Sequence, residues 1–247
     1  MEKLLKCENI RKKYPNFTLQ DVSFKLEQGY LTGLVGVNGA GKSTLIRILS
    51  GEDMDFSGEV SLDGISLKED PAGFRGRIGV ISDSREFFWD MSALENGRFL
   101  GTLYPGFDEK RYRLWLLNMD LPLDQPISQF SKGMKRKFQI CFAMAYEPLF
   151  LLMDEPTDGF DPVFRRDFRK ILQDLLELRV GILMSTHILG DLEKIADYLV
   201  VLDHGEQKIW DTGEILLNPE GRKHIEKLTT EDLHVIDLLR EYGGDRV

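Results

Sequence analysis

The chain has 247 residues, 42% of them hydrophobic and 30% charged, with a formal net charge of −9. That length suits one large α/β domain with room for an inserted lobe, and it excludes two independent catalytic domains. The acidic balance argues against a nucleic-acid partner, which usually meets a basic face, and no apolar run approaches the roughly 18 residues that span a bilayer.

Any membrane role is therefore expected to be peripheral, without direct insertion. Met1, Glu2 and Lys3 precede no apolar signal region, and Cys7 and Cys141 stand at no metal-ligand spacing. A reduced intracellular compartment is expected. The basic clusters at Arg11, Lys12 and Lys13, and again between Lys132 and Lys137, read as solvated faces.

In chain order, residues 4–10 and 17–26 read as strands about a turn at Tyr14, Pro15 and Asn16. Residues 31–35 form a short apolar run, as expected of a strand buried on both faces. A glycine-rich loop follows, then a helix with Leu45, Ile46, Ile48 and Leu49 on its apolar face, stopped at Gly51. Short strands are predicted at 59–62 and 78–81. Residues 87–146 are helical and rich in aromatics, which predicts an inserted lobe. Strand character returns at 149–153, 180–184 and 198–202, with a helix over 164–178. Strands alternating with helices imply a mostly parallel sheet. In the tail, Thr230 and the acids behind it signal a helix start, with Leu233, Ile236 and Leu239 at helical spacing.

The loop Gly36-Val37-Asn38-Gly39-Ala40-Gly41-Lys42-Ser43-Thr44 fits the pattern G-x-x-x-x-G-K-[ST] between a predicted strand and a predicted helix. Glycines let successive backbone N–H groups turn inward onto phosphate oxygens, and the helix aims its positive end at the same anions. Lys42 adds a point charge at the β and γ phosphates, and Ser43 offers a hydroxyl to Mg²⁺. This is a nucleoside triphosphatase site. Further along, an apolar strand ends in Asp154 and Glu155. Adjacent acids there are costly unless a cation or water uses them. Asp154 suits Mg²⁺, and Glu155 suits polarising a water for attack on the γ-phosphate.

Between these motifs stand Phe130, Ser131, Lys132, Gly133 and Met134, at the start of a predicted helix. At this point the chain resembles the ATP-binding cassette family, whose signature Leu-Ser-Gly-Gly-Gln these residues follow. The resemblance implies an ATPase of that family's fold. Its parts are a P-loop NTPase core with an N-terminal antiparallel β subdomain (residues 1–85 and 147–213), an inserted helical subdomain (86–146) and a helical tail (214–247).

The resemblance also implies site residues. Ser131 and Gly133 would meet the γ-phosphate held by a second subunit, and Asp161 would lie in the loop that crosses the dimer interface. His187 matches the histidine that contacts the γ-phosphate, at a strand's carboxyl end where open α/β sheets place ligands. Tyr14 matches the aromatic that stacks on adenine. Stacking uses the ring, so Phe is expected to serve there as well. ATP and Mg²⁺ are the implied cofactors.

Three positions depart from the family pattern. Lys132 and Met134 replace signature residues, and Asp83 stands where the family carries a loop glutamine. As a carboxylate, Asp83 is expected to share in Mg²⁺ coordination. These departures resemble single-cassette subunits that serve exporters of drugs, peptides or polysaccharides. The implied partners are an integral membrane permease and a second copy of this chain or a homologous cassette, at the inner face of the cell membrane. The alternative is a soluble ATPase of assembly, as in iron–sulfur-cluster biogenesis. A DNA-repair cassette would need a long coiled coil, for which the lobe has no room.

Overall fold

Along the central strands of the computed structural model, apolar side chains alternate between two faces, and both faces are covered. The structure describes residues 3–192 and 195–212. Five strands run parallel: β3 (Leu31–Val35), β6 (Ile78–Ile81), β7 (Phe150–Asp154), β8 (Gly181–Thr186) and β9 (Tyr198–Asp203). On β7, Leu151 and Met153 face one core, while Phe150 and Leu152 face the other. β8 and β9 divide in the same way, with Leu183 and Val200 opposed to Met184 and Val201. Burial on both faces explains why these strands read as unbroken apolar runs.

The sheet continues through β10 (Glu206–Thr212), β2 (Phe17–Glu27), β1 (Leu4–Tyr14), β4 (Ser57–Leu62) and β5 (Ile65–Ser66). The complete order is β5-β4-β1-β2-β10-β9-β3-β8-β7-β6. β10 is antiparallel to β9 and meets β2 in parallel at Glu206 and Gln20. The remaining pairs, from β2 out to β5, are antiparallel. Helix α1 (Lys42–Leu49) packs Leu45, Ile46, Ile48 and Leu49 into the core beneath the antiparallel strands. Helix α6 (Pro162–Glu177) buries Phe168, Ile171, Leu172 and Leu175 on the other face. A short helix, α2 (Pro71–Arg75), leads into β6.

Residues 87–146 carry α3 (Ala93–Leu100), α4 (Glu109–Asn118) and α5 (Lys132–Met144). Their aromatics meet around Phe142, whose ring centroid lies 5.4 Å from Phe87, 5.3 Å from Tyr104 and 5.2 Å from Phe107. Edge-on and tilted pairs at this spacing are the favoured aromatic geometries. This core is continuous with the α6 face of the sheet, so the helices are seated on the parallel strands.

The short β5 was not predicted, several strand bounds shift by one or two residues, and two strands differ further from the sequence reading. β1 extends to Tyr14 because Lys12, in the basic cluster, points inward at 8% exposure. Its ammonium meets Asp53 Oδ1 at 2.9 Å and Asp55 Oδ2 at 3.0 Å. Hydropathy alternation treats a lysine as outward and so stops the strand early. β10 escaped the reading because its sequence, Glu-Gln-Lys-Ile-Trp-Asp-Thr, has little apolar alternation. The tail helix predicted from Thr230 lies outside the described residues. Both thiols are buried, and burial pushes the Cys7 thiol up to about 12 and the Cys141 thiol higher, which leaves them as inert core groups.

The chain before α3 is pinned by one amide. Asn96 is fully buried. Its Oδ1 accepts from the Phe88 N–H at 2.9 Å, and its Nδ2 donates to the Phe88 and Ser92 carbonyls at 3.0 Å each. Asn96→Ala leaves the Phe88 N–H without its acceptor, while the Phe88 and Ser92 carbonyls keep the Met91 and residue-96 N–H groups, at a cost of about 1–3 kcal/mol. Urea unfolding of the two proteins checks this. Coincident midpoints would mean that water or a rearranged loop takes over the amide's role.

Candidate functional site

The carboxyl ends of β3, β7 and β8 converge, and the motif residues that follow them come into contact. After β3 the chain turns through Gly39 (φ 83°) and Gly41 (φ 108°) before entering α1. Side chains with a Cβ are strained at such angles. An added Cβ at Gly41 would also lie 2.7 Å from the Phe17 ring. The first turn of a helix leaves its N–H groups without intrahelical partners, and at α1 that turn opens onto a cavity of about 1010 Å³. Asn38, Gly39, Gly41, Lys42, Ser43 and Thr44 line the cavity, together with Tyr14 and Glu155. Ala40 does not: its side chain is buried in the core, and its carbonyl accepts from the Gly205 N–H at 3.1 Å.

Lys42 is 6% exposed and folds back over its own loop, donating to Gly36 O at 2.7 Å and Val37 O at 3.2 Å. Its ammonium also lies 3.3 Å from Glu155 Oε1. The other carboxylate oxygen, Oε2, meets His187 Nδ1 at 2.8 Å. Glu155 therefore bridges the phosphate loop to the end of β8. It does so from a left-handed backbone conformation, φ 44°, which costs a non-glycine residue about 1–2 kcal/mol. The preceding acid is fixed as well. Ser185 Oγ donates to Asp154 Oδ1 at 2.6 Å and accepts from the Glu155 N–H at 2.9 Å.

Ser131, Gly133 and Asp161 are not brought to this cavity. Ser131 Oγ caps α5, accepting from the Met134 N–H at 3.2 Å. Asp161 Oδ1 caps α6, accepting from Val163 and Phe164 N–H groups at 2.9 Å each. Gly133 lies under Phe164, whose ring would be 2.5 Å from an added Cβ. Lys132 is tethered to the loop ahead of α6 through Asp158 Oδ2 at 2.9 Å. In that same loop, Thr157 Oγ1 donates to the buried Asp191, in the turn after β8, at 2.6 Å.

Asp83 is also elsewhere. Its carboxylate stands 2.9 Å from Arg136 Nη2 on α5 and is not among the groups lining the cavity. The structure directs the charge of Asp83, expected from the sequence to share in metal coordination, to a buried guanidinium. The contact is off the N–H axis, so Nη2 has an ionic neighbour without an aligned acceptor. Arg136 Nε donates to Pro156 O at 3.3 Å. Arg136 is 1% exposed, so the second basic cluster is, like the first, not wholly solvated.

Other lining residues were not singled out from the sequence. Lys13, Asn16, Phe17, Thr18 and Gln20 come from β1, β2 and their turn, and His204 comes from the turn between β9 and β10. Gln20 pairs with the start of β10, and without that strand nothing in the sequence brings His204 near the loop.

A family model described as ABC transporter matches residues 19–158. The linearmycin resistance ATP-binding protein LnrL of Bacillus subtilis (strain 168) is 31% identical over 237 residues, covering 94% of this chain and 76% of that protein. The Nod factor export ATP-binding protein I of Ralstonia nicotianae (strain ATCC BAA-1114 / GMI1000) is 32% identical over 250 residues, covering 98% and 73%. Among solved structures, an ATP binding subunit of an ABC transporter superposes with a TM-score of 0.77 at 28% identity, covering 97% of this chain and 99% of that one. With a phosphate loop, an acidic strand end and a histidine joined through one carboxylate, the chain belongs to the ABC transporter family, as an ATP-binding subunit whose ATP hydrolysis is coupled to transport.

Proposed function

We propose that this chain hydrolyses Mg-ATP in the cavity at Lys42 and Glu155, as half of a head-to-tail dimer that drives an integral membrane permease in export. The observation that carries the reading is the Glu155 carboxylate held between Lys42 and His187. A base for the attacking water must sit beside the γ-phosphate, and the lysine and histidine at its two oxygens are the groups that would hold that phosphate. Tyr14 would take the adenine, and the backbone of residues 38–44 the phosphates.

Ser43 and Asp154 would hold Mg²⁺ arriving on the triphosphate, an ion that neutralises charge on the β and γ oxygens. A hydroxyl and a single carboxylate are hard oxygen donors, and Mg²⁺ ordinarily takes one or two carboxylates with phosphate and water. Ser131, Gly133 and Asp161 lie away from their own subunit's cavity, which supports a role on the nucleotide of a second copy. Exposed Phe88, Trp89, Phe99 and Leu103 support a partner that covers them, consistent with a permease at the inner face of the membrane. The names of the two relatives, for resistance and for export, support the direction of transport and do not favour iron–sulfur assembly.

Glu155→Gln keeps the shape but removes the base, so turnover should fall about 10²–10⁴-fold. ATP binding should persist, and light scattering with Mg-ATP should report a dimer. An unaltered turnover number removes Glu155 from the role of base. For Asp83, ATP titrations over a Mg²⁺ series should superimpose for wild type and Asp83→Gln. A steeper Mg²⁺ dependence in the wild type would return Asp83 to the metal.

A further inference from the structure

We propose that Arg47, Asp53 and Lys12 form a bracket that fixes the Tyr14 ring as the base platform, so that its hydroxyl contributes to nucleotide affinity. The proposal rests on the reading of the cavity as an ATP site. It corrects the expectation that only the ring matters and that Phe would serve equally.

Tyr14 is the last residue of β1, at the cavity rim. A ring at a strand end can rotate about χ1 unless something holds its far end. Here the hydroxyl donates to Asp53 Oδ2 at 3.3 Å and accepts from Arg47 Nη2 at 3.3 Å. Both bonds are long, and each alone is weak. Their value comes from the rigidity of what they attach to.

Asp53 is fixed from several directions. Its backbone N–H donates to Arg47 O at 3.0 Å, at the end of α1. Its Oδ1 accepts from Lys12 Nζ at 2.9 Å and from the Asp55 N–H at 3.1 Å. Burial would lift the Asp53 carboxyl, but these hydrogen bonds hold it below the ordinary carboxylate range. It therefore remains an ionised acceptor for the Tyr14 hydroxyl, with charge-assisted bonds on its other oxygen. The Lys12 ammonium also lies 5.3 Å from the centroid of the Tyr14 ring, within cation–π range.

Helix α1 thus serves both ends of the nucleotide. Its first turn presents Lys42, Ser43 and Thr44 to the cavity, while Arg47 holds the platform for the base. Because one rigid helix carries both, the separation between phosphate and base subsites is set by α1. The hydroxyl of Tyr14 is the joint that transmits that distance to β1. Arg47 and Asp53 are positioning residues, acting on the base through Tyr14.

The test compares ATP with inorganic tripolyphosphate, which has the phosphates without the base, by calorimetric titration. Tyr14→Phe and Asp53→Asn should each weaken ATP about threefold to tenfold, the range of an ordinary hydrogen bond, and leave tripolyphosphate unchanged. Tyr14→Ala should weaken ATP further, because base stacking is lost as well. If Tyr14→Phe binds ATP like the wild type while Tyr14→Ala does not, the bracket is overturned and the platform stands. If Tyr14→Phe weakens tripolyphosphate equally, the effect is general and the bracket is again overturned. An Asp53→Asn protein that fails to fold leaves the decision to Tyr14→Phe, which removes a single oxygen. Lys42→Ala should weaken both ligands. Its failure to do so would instead bring down the nucleotide reading itself.

Discussion

The charge of Lys42, held at the mouth of a helix and largely shut off from water, is the constraint on which the site depends. A buried ammonium needs acceptors on every side it presents. Two carbonyls of its own loop supply part of that need, and Glu155 supplies the counter-charge. The γ-phosphate of the proposed substrate would offer the same charge at the same place. Lys42 would then act as a divider: what the phosphate took from it, Glu155 would give up, and the carboxylate would be released toward a water while His187 kept its other oxygen. In the proposed reaction, substrate binding and freeing of the base would be one exchange.

That exchange requires the three groups to be held to within a fraction of an ångström by elements far apart in the chain. The parallel strands do this. β3, β7 and β8 are neighbours in the sheet, in register over their full lengths, and their apolar side chains interlock with helices on both faces. The left-handed turn at Glu155 stores strain at the point where β7 ends. Ser185 of the neighbouring strand offsets it by accepting the Glu155 N–H and donating to Asp154. The antiparallel strands serve the other end of the cavity, where β1 and β2 bring Tyr14, Phe17 and Thr18 against the loop.

Where burial is on both faces, the sequence was easy to read. The strands at Leu31–Val35 and Ile78–Ile81 have the predicted bounds because every residue in them is buried. The phosphate loop and the acidic pair were legible for a related reason: their chemistry tolerates few other residues at those spacings. What escaped was set by tertiary partners. Lys12 reads as a surface charge until Asp53 and Asp55, some forty residues away, are seen to enclose it. β10 has no apolar rhythm because its place is defined by β9 and β2, and His204 reaches the cavity only through that strand. Ser131 and Asp161 carry a second, local role as helix caps that the family pattern does not state.

The departure at position 83 finds its reason in the same kind of long-range pairing. A neutral glutamine there could not answer the charge of Arg136, which lies in the packed interior of α5 at 1% exposure. An isolated guanidinium in that setting is costly, and a hydrogen bond to Pro156 O alone does not neutralise it. Asp83, more exposed and placed at the surface end of the pair, supplies the missing charge while keeping most of its own hydration. Gln139 of the same helix donates to Ser82 O at 2.9 Å, next to that carboxylate. Helix α5 is thereby fastened to the loop after β6 through Gln139 and Asp83, and to the loop after β7 through Pro156. Because α5 begins at Ser131 and Gly133, the position of those residues is referred directly to β6 and β7. The acid at 83 thus helps to set the placement of the helix that begins at Ser131.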